Sequence, residues 1–283
     1  MTLGGDRGLT WQIGIWDDMA AVYVREIDQR FKPIVDRLLR RAELRPGQRI
    51  LDLGTGTGSV ALASAPRVAA DGHVLGVDIS PEMLALARAR ASSAALTNLS
   101  FAEGRAEAIP AEGSSQDTVL ASLSLMYVID RAAAAREIAR VLKPGGRLVA
   151  AVWAGPERAD IVRLQQMAGS FAPKPPVDGV GPGAMADPSP FLAQLADAGV
   201  DARVESETTE FAFDDFASAW AALAGVTAAR MEPERLEPAK AAVRAEMWPG
   251  GDGPRRFRNE TQFIVGVRVT RGPRRPSRFA GGR

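Results

Sequence analysis

The sequence has no cysteine and only one histidine among its 283 residues. Without cysteine there is no disulfide framework, no thiolate metal site, no iron–sulfur cluster and no cysteine nucleophile. A single histidine, His73, is too few for a histidine-rich zinc site, so we expect no bound metal. Apolar runs of about 18 residues and a basic-then-apolar leader are also missing, which predicts a soluble, cytoplasmic protein without a membrane span.

Charge is nearly balanced overall, at a formal net charge of +1, but it is unevenly placed. Residues 271–283 contain five arginines and no acidic residue, which leaves −4 for the rest of the chain. We expect this basic tail to be disordered, because it has little apolar surface to bury. The mildly acidic body argues against a nucleic-acid partner.

From residue 49 onward, short β-rich runs alternate with helical stretches, which is typical of βαβ units and a parallel sheet. This order predicts an α/β fold: a Rossmann-like, mostly parallel sheet of seven strands with helices on both faces, an N-terminal helical arm and helical lid insertions. The predicted strands cover residues 49–53, 73–77, 99–103, 118–122, 147–153, 203–213 and 262–269.

Helices are predicted over residues 15–42, 161–171, 191–198 and 214–247, and Ser80 and Asp130 are predicted helix N-caps. Pro66 is expected to end or kink the helix that starts at Ser59, because proline lacks an N–H and clashes with the preceding turn. Residues 172–190 are rich in proline and glycine and too long for an ordinary connection, so we expect a mobile lid there.

A glycine-rich turn joins the first strand to its helix, in the run Leu-Asp-Leu-Gly-Thr-Gly-Thr-Gly of residues 51–58. Glycines allow a tight turn and a close approach of backbone to a ligand at the helix N-terminus. Asp78 closes the next strand, where a carboxylate can accept both hydroxyls of a ribose. We therefore expect a nucleoside-containing ligand at the carboxyl end of the sheet; a turn that serves only packing is the alternative.

The turn lacks both the dinucleotide pattern G-x-G-x-x-G and the phosphate-binding pattern G-x-x-x-x-G-K-[ST]. With Asp52 before it, the turn resembles the first motif of class I S-adenosylmethionine-dependent methyltransferases. The similarity covers about residues 45–155, including the stretches 76–84, 103–110 and 136–147. Within that family it resembles the branch of the ubiquinone/menaquinone C-methyltransferases and many natural-product enzymes. The resemblance implies one domain over residues 1–270, with an arm (1–48), a cofactor-binding half (49–153) and a substrate-side half (154–270).

Roles for the motif residues follow from this resemblance. Gly54 and Gly56 would let the backbone contact the methionine portion of S-adenosylmethionine, and Asp52 would steer its ammonium group. Asp78 would bind the ribose hydroxyls. Apolar side chains would flank the adenine, and Met83 is equally well interpreted as an ordinary core residue. The complete set of expected cofactor-binding residues is Tyr23, Asp52, Gly54, Thr55, Gly56, Asp78, Ile79, Met83, Arg105, Ala106, Ala121 and Ser122.

The third motif departs from the family pattern. Related enzymes usually carry aspartate where this chain has Arg105, and arginine cannot accept a hydrogen bond from the adenine amino group. The backbone at Arg105 and Ala106 can still hold the adenine edge, or Arg105 can stack on it; an exposed arginine without a ligand is the alternative.

Candidates for a catalytic base are few. Tyr127, or a carboxylate such as Asp17 or Asp18, could assist an oxygen or carbon nucleophile. Tyr127 is the candidate catalytic residue, although a pocket wall is the slightly favoured role for it. His73 starts the second strand, at the opposite end of the sheet from the site, and is expected to be structural. In the arm, Trp16, Ala20 and Tyr23 are expected to cap the methionine end of the cofactor, with core packing as the alternative.

Apolar residues of the second half are expected together to line the substrate pocket, although each of them taken singly is better interpreted as core. Such a lining predicts a small hydrophobic or aromatic acceptor of the quinone-precursor or natural-product type. Methylation of protein or RNA, and cofactor binding without methyl transfer, are the alternatives. A homodimer is also open. The absence of cysteine excludes thiol-dependent methylations such as those of arsenite and of pyrimidine C5. The expected lining residues are Phe171, Met185, Phe191, Phe211, Phe213, Phe216, Trp220 and Met231.

Overall fold

The computed structural model describes residues 3–270 and, except at 3–6 and 225–226, their side chains. The basic tail over 271–283 lies outside the described residues. Seven strands form one sheet: β1 (Arg49–Leu53), β2 (His73–Asp78), β3 (Leu99–Glu103), β4 (Gln116–Ser122), β5 (Leu142–Trp153), β6 (Val200–Phe213) and β7 (Arg255–Arg268). Their spatial order is β3-β2-β1-β4-β5-β7-β6.

The predicted seven-stranded, mostly parallel sheet is confirmed. Strands β1 to β5 pair in parallel, and β7 runs antiparallel between β5 and β6. The structure starts β7 at Arg255 instead of the predicted residue 262. The early part of β7 is charged, so its pattern does not indicate a strand; it becomes one because every residue pairs with β6, from Phe213↔Arg255 to Val200↔Arg268.

Helices cover both faces of the sheet. Because the strand order reverses between β1 and β4, right-handed crossovers place the helices after β1 and β2 on one face and the helix after β4 on the other. Within residues 3–270, none of the helices combines the length and apolarity needed to cross a bilayer. The helices are α1 (Leu3–Val22), α2 (Asp28–Ala42), α3 (Ser59–Val68), α4 (Pro81–Ser93), α5 (Arg131–Val141), α6 (Asp160–Gly169), α7 (Ser189–Ala198), α8 (Phe216–Leu223), α9 (Gly225–Ala229) and α10 (Pro233–Met247).

The helical part of the N-terminal arm begins at Leu3 instead of the predicted residue 15, and it is not α-helical throughout. A π-helical turn, Tyr23–Ile27, separates α1 from α2. Helix α2 packs against β4 and β5. Its Arg41 donates to Glu205 and Glu207 of β6 at 2.9 and 2.5 Å, which ties the arm to the edge of the sheet. The buried side chains of α2 are Ile34, Val35, Leu38, Leu39 and Ala42.

Helix α3 continues past Pro66, contrary to the expected break. The helix reaches Val68, which is fully buried and gives the last turn a packing contact. Asn98 supports the same turn from outside, because its Nδ2 donates to the carbonyls of Ala65 and Ala69 at 2.9 and 2.6 Å. The N-caps at Ser80 and Asp130 are confirmed by their side-chain bonds to backbone N–H groups.

Docking of the arm can be tested at Leu38, which is completely buried. We expect Leu38→Ala to lower the free energy of unfolding by about 2–5 kcal/mol, because it removes buried apolar surface and leaves a cavity. Arg40→Ala, at an exposed position on the same helix, should change it by less than about 0.5 kcal/mol. Urea unfolding followed by circular dichroism measures both. Equal effects of the two changes would contradict the packing described for α2.

Candidate functional site

The glycine-rich turn follows β1 and reverses the chain into α3. Gly54 has a φ of +73°, and a Cβ there would lie 2.3 Å from the Cβ of Ser124, so both the backbone angle and the space require glycine. Ser124 closes the turn from the β4 side by donating its hydroxyl to the Leu53 carbonyl at 2.7 Å. At Gly54 and Gly56 the turn therefore presents bare backbone to the space above the sheet.

Asp78, at the end of β2, holds this turn in place. One carboxylate oxygen accepts the Gly56 N–H at 2.8 Å, and the other accepts the Ser80 N–H at 3.0 Å. The side chain is buried, and this desolvation raises the pKa of the Asp78 carboxyl, although both hydrogen bonds oppose the shift. Two oxygens with one backbone donor each keep lone pairs for further donors.

Asp52 lies beneath the turn. Its Oδ2 accepts the Thr55 hydroxyl at 2.6 Å and the Ala61 N–H at 3.0 Å, while its Oδ1 is buried without a hydrogen-bond partner. Burial raises the pKa of the Asp52 carboxyl to about 7. The carboxyl is not part of the cleft wall, so its place indicates support of the turn, and its predicted action on an ammonium group stays a prediction.

A cleft runs over the turn, between the ends of β1, β2 and β4. Ile79 and Met83 line it from the side of α4, and Arg105 and Ala106 line it from the loop after β3. Met83 is also almost fully buried, so it is both a core residue and a wall of the cleft. The Arg105 carbonyl accepts the N–H of Ala108 at 3.0 Å, which bends this loop back on itself.

The arm is fastened to the cleft at two points. At the first, Asp28 accepts the Thr57 hydroxyl of the turn at 2.8 Å and Arg90 of α4 at 2.6 Å. At the second, Asp17 accepts the Ser80 hydroxyl at 2.5 Å, directly beside Asp78. The cleft therefore takes its shape only when the arm is docked.

Three aromatic rings on the inner face of the arm pack with Tyr127, which follows β4; we call Trp16, Tyr23, Phe31 and Tyr127 the aromatic collar. The Trp16 and Tyr127 rings meet edge to face at 4.7 Å, and the Trp16–Tyr23 and Tyr23–Phe31 pairs each lie at 6.3 Å. Gln12 fixes the base of the collar by donating to the Tyr127 carbonyl at 2.6 Å. All four rings line the cleft and also a second cavity behind it.

This second cavity, the acceptor cavity, has a volume of about 520 Å³ and mostly apolar walls, which is a size and character typical of sites for small organic ligands. The predicted lid segment covers part of it. Gly181 of this segment donates its N–H to the Met126 carbonyl at 3.0 Å, and Arg131 donates to the Gly179 carbonyl at 2.6 Å. The lining residues outside the collar include Trp11, Ile15, Met19, Trp153, Ile161, Gln165, Ala172, Pro173, Pro175, Val180, Gly181, Pro182, Leu223, Thr227 and Arg230.

The expected apolar lining of the pocket was wrong, because none of those eight residues lines the acceptor cavity. Seven are buried in the hydrophobic core, and Phe171 is partly buried and packs against that core. The arm supplies the lining in their place. The assisting roles suggested for Asp17 and Asp18 also fail, since Asp17 caps α4, Asp18 pairs with Arg230, and neither lines the cleft or the cavity. The seven core residues are Met185, Phe191, Phe211, Phe213, Phe216, Trp220 and Met231.

The two tyrosine phenols of the aromatic collar, where the cleft and the acceptor cavity meet at what we call the junction, stay protonated. Burial raises the pKa of the Tyr127 phenol and likewise that of the Tyr23 phenol. Tyr127 can therefore donate a hydrogen bond near neutral pH but not accept a proton as a base. His73 lies at the amino end of β2, where its Nε2 is 2.8 Å from the Ser100 hydroxyl, away from the cleft and the acceptor cavity.

The structure brings most of the predicted site residues together. Only Asp52 and Ala121 of the predicted set are absent from the cleft lining, because Ala121 is buried within β4. Sequence reasoning missed Asp28, Thr57 and Phe31. Thr57 belongs to the glycine-rich turn and could have been included, but no pattern in the arm indicates that Asp28 or Phe31 lies near this turn. The predicted residues that line the cleft are Tyr23, Gly54, Thr55, Gly56, Asp78, Ile79, Met83, Arg105, Ala106, Ser122 and Tyr127.

Comparison with known proteins connects this arrangement to one class of proteins. Residues 44–168 match a family model described as a methyltransferase domain. Nocamycin O-methyltransferase of Saccharothrix syringae is 33% identical over 183 residues, 64% of this chain and 63% of that protein. The ubiquinone/menaquinone biosynthesis C-methyltransferase UbiE of Vibrio cholerae is 41% identical over 106 residues, 37% of this chain and 41% of that protein.

The chain spans less than two thirds of the length of these curated relatives. Its fold extends beyond the matched region, however. The crystal structure of the YcgJ protein from Bacillus subtilis is similar with a TM-score of 0.62 at 21% sequence identity, over 83% of this chain and 98% of that chain. At this identity the likeness concerns the fold alone.

The buried Asp52 carboxyl predicts a pH-dependent stability. Its pKa is about 7 in the folded protein and near 3.9 when unfolded, so the folded chain binds more protons between those values. We expect the contribution of Asp52 to the free energy of unfolding to fall as pH rises from 5 to 7, by at most about 1.4 kcal/mol per pH unit, and to level off above. Denaturant unfolding of the wild type and Asp52→Asn across pH 5–8 measures this. A pH-independent difference between them would contradict it.

Proposed function

We propose that this chain, whose residues 44–168 match the methyltransferase domain model, transfers a methyl group from S-adenosylmethionine to a small, largely apolar organic acceptor. One observation carries the proposal. The cleft that contains Asp78 and the glycine-rich turn shares the aromatic collar with the acceptor cavity, so a methyl donor and an acceptor can meet at one wall.

The residues of the cleft fit this cofactor. Asp78 keeps lone pairs for the two ribose hydroxyls, at the carboxyl end of a strand beside the glycine-rich turn, as in other nucleoside sites of α/β folds. Gly54 and Gly56 leave room for the methionine portion to approach backbone. The unpaired Oδ1 of Asp52 is a buried acceptor beneath the same turn, and a cation above it would favour the ionised carboxyl.

Other cleft residues would bind the adenine ring of the cofactor and cover its methionine portion. Ile79 and Met83 offer apolar surface to the faces of the adenine ring. The backbone of Arg105 and Ala106 offers hydrogen-bonding groups to the edge of that ring. Tyr23 would cover the methionine end from the arm. Thr55 and Ser122 complete the lining, whereas Ala121 supports it from within the sheet.

Methyl transfer here depends on orientation and on the exclusion of water. When bound, S-adenosylmethionine supplies an activated methyl group, which bonds to the nucleophilic atom of the acceptor while the electron pair of the broken carbon–sulfur bond stays on sulfur. The collar would shield the junction from water and would offer aromatic rings to the positively charged sulfur of the bound cofactor. Both fastenings of the arm hold the collar in place, which favours a productive geometry.

The acceptor cavity constrains the chemistry of the acceptor. Among the described lining residues there is no aspartate, glutamate or histidine, and the Tyr127 phenol stays protonated. The acceptor would therefore bring a nucleophilic atom that needs no base from the cavity, such as an uncharged amine, or an ionised or readily ionised phenol, acidic carbon or carboxylate. Tyr127 would donate a hydrogen bond to an oxygen of that acceptor, as the candidate catalytic residue.

The volume of about 520 Å³ and the mostly apolar walls of the acceptor cavity favour a small molecule over a protein or RNA chain. Incubation with S-adenosylmethionine labelled in its methyl group and a panel of phenols, quinols and β-keto acids tests transfer directly. Labelled product supports the proposal. Cofactor binding without product from any panel member would instead indicate a binding protein.

A homodimer in the cytoplasm, without a nucleic-acid partner, stays the expected state of the protein. Light scattering after gel filtration measures the oligomeric state.

Cofactor recognition can be tested at Asp78. We expect S-adenosylmethionine to raise the melting temperature of the wild type and Asp78→Ala to weaken cofactor binding by at least about tenfold, because a charged acceptor of hydrogen bonds is lost. Asp201→Ala, at an exposed site on β6, is the matched control and should bind normally. Isothermal titration calorimetry gives the dissociation constants. Unchanged binding by Asp78→Ala would refute this assignment of the cleft.

Tyr127→Phe separates a hydrogen-bond donor from a pocket wall. If the phenol donates to the acceptor, the variant should lose about 2–10-fold in kcat, the value of one neutral hydrogen bond, with an unchanged Kd for the cofactor. The pH profile should keep its shape, because the phenol does not ionise in this range. An unchanged kcat would leave Tyr127 as a wall only.

A further inference from the structure

The acceptor cavity is apolar except on one wall. Arg230 is its single charged residue among the described lining residues, and it follows α9. Gln165 of α6 lies on the same wall, where its Nε2 donates to the Leu223 carbonyl at 3.1 Å, at the end of α8. The wall therefore offers one cation and one amide within an otherwise hydrophobic enclosure.

Both side chains are incompletely paired. Arg230 Nε and Gln165 Oε1 are buried atoms without a hydrogen-bond partner. A buried donor or acceptor left unpaired costs about 1–3 kcal/mol, and most such atoms in proteins find a partner. A ligand in the adjoining cavity that supplies an acceptor for Arg230 and a donor for Gln165 would remove this cost.

The existing partner of Arg230 does not neutralise it firmly. Asp18 of the arm accepts from Arg230 Nη2 at 3.0 Å, but the Asp18 side chain is 66% exposed. Exposed ion pairs are worth about 0–1 kcal/mol, so a second anion can share or replace this contact. The Trp11 ring lies 5.9 Å from the guanidinium carbon, which gives the charge a further aromatic neighbour.

The wall with Arg230 lies apart from the place where the methyl group would be transferred. Arg230 and Gln165 line the acceptor cavity but not the cleft, whereas the aromatic collar lines both. A group bound by Arg230 therefore lies away from the junction at which the methyl group would pass. Its binding energy would orient the acceptor without touching the reacting atom.

We propose that the acceptor is an apolar organic acid whose carboxylate or comparable anionic oxygen group is bound by Arg230 at a point remote from the methylated atom, while Gln165 Oε1 accepts a hydrogen bond from a donor elsewhere on the same molecule. This inference rests on the proposed function, because it assumes that the acceptor occupies this cavity. Arginine suits the role, since its fork of donors matches a carboxylate and remains charged at all relevant pH values. The same wall disfavours a cationic amine as acceptor.

Binding of three matched probes tests the inference without requiring turnover: 2-naphthoate, its neutral amide 2-naphthamide, and the cationic 2-naphthylmethylamine. Calorimetry is performed on the protein saturated with S-adenosylhomocysteine. We expect the wild type to bind the carboxylate at least about tenfold more tightly than the amide, as for one charge-assisted hydrogen bond, and the amine most weakly. Arg230→Gln should remove the preference for the carboxylate, and Asp18→Asn should increase it.

Arg235→Gln, an exposed arginine that does not line the cavity, is the matched control and should keep the wild-type preference. In a turnover assay Arg230→Gln should raise KM for an acidic acceptor far more than it lowers kcat. Equal affinity of the wild type for the three probes, with S-adenosylhomocysteine still bound, would overturn the inference and leave the proposed function standing. Failure of the wild type to bind S-adenosylmethionine or S-adenosylhomocysteine would refute the proposed function itself.

Discussion

The Asp78 carboxylate is the interaction on which the arrangement of this protein depends. It accepts N–H groups from the glycine-rich turn after β1 and from the N-cap of α4, so one side chain joins two βα connections. The N-cap residue Ser80 then donates its hydroxyl to Asp17, and the arm is joined to the same point. The cleft, the turn and the arm therefore share one buried acid. Its desolvation is unfavourable, and the hydrogen bonds from fixed backbone donors offset that cost.

The arm completes what the sheet begins. A parallel sheet opens its carboxyl end to solvent, and chemistry that must exclude water requires a cover. Here the cover is built from α1, the π-helical turn and α2, and its inner face carries most of the aromatic collar. Asp28 fastens it to the glycine-rich turn through Thr57 and to α4 through Arg90. Both binding spaces therefore take part of their lining from the docked arm.

The cleft and the acceptor cavity carry charges of opposite sign. The acids lie under and beside the cleft, where a positively charged cofactor would stabilise their ionised forms, and the raised pKa of Asp52 indicates how unfavourable that ionisation is without a cation. The acceptor cavity instead carries the guanidinium of Arg230 and no described acid. Opposite electrostatic preferences on the two sides of the collar would direct a cationic cofactor and an anionic acceptor to their own spaces.

The sequence by itself determined the sheet, the glycine-rich turn and the acid after β2, because these features are local: strand, turn and helix follow one another within residues 49–78, and steric limits on the backbone act at short range. It did not determine the acceptor cavity. Asp28 meets Thr57 across 29 positions, and Arg230 meets Asp18 across 212, so neither pair leaves a periodic signal in the chain. The later aromatic residues, taken singly, are better interpreted as core and only together as a pocket lining, and the packing of the chain placed all but Phe171 fully in the core. Tertiary structure decided these matters because a cavity wall is defined by which distant segments pack together, and that depends on the summed burial and pairing of the whole chain.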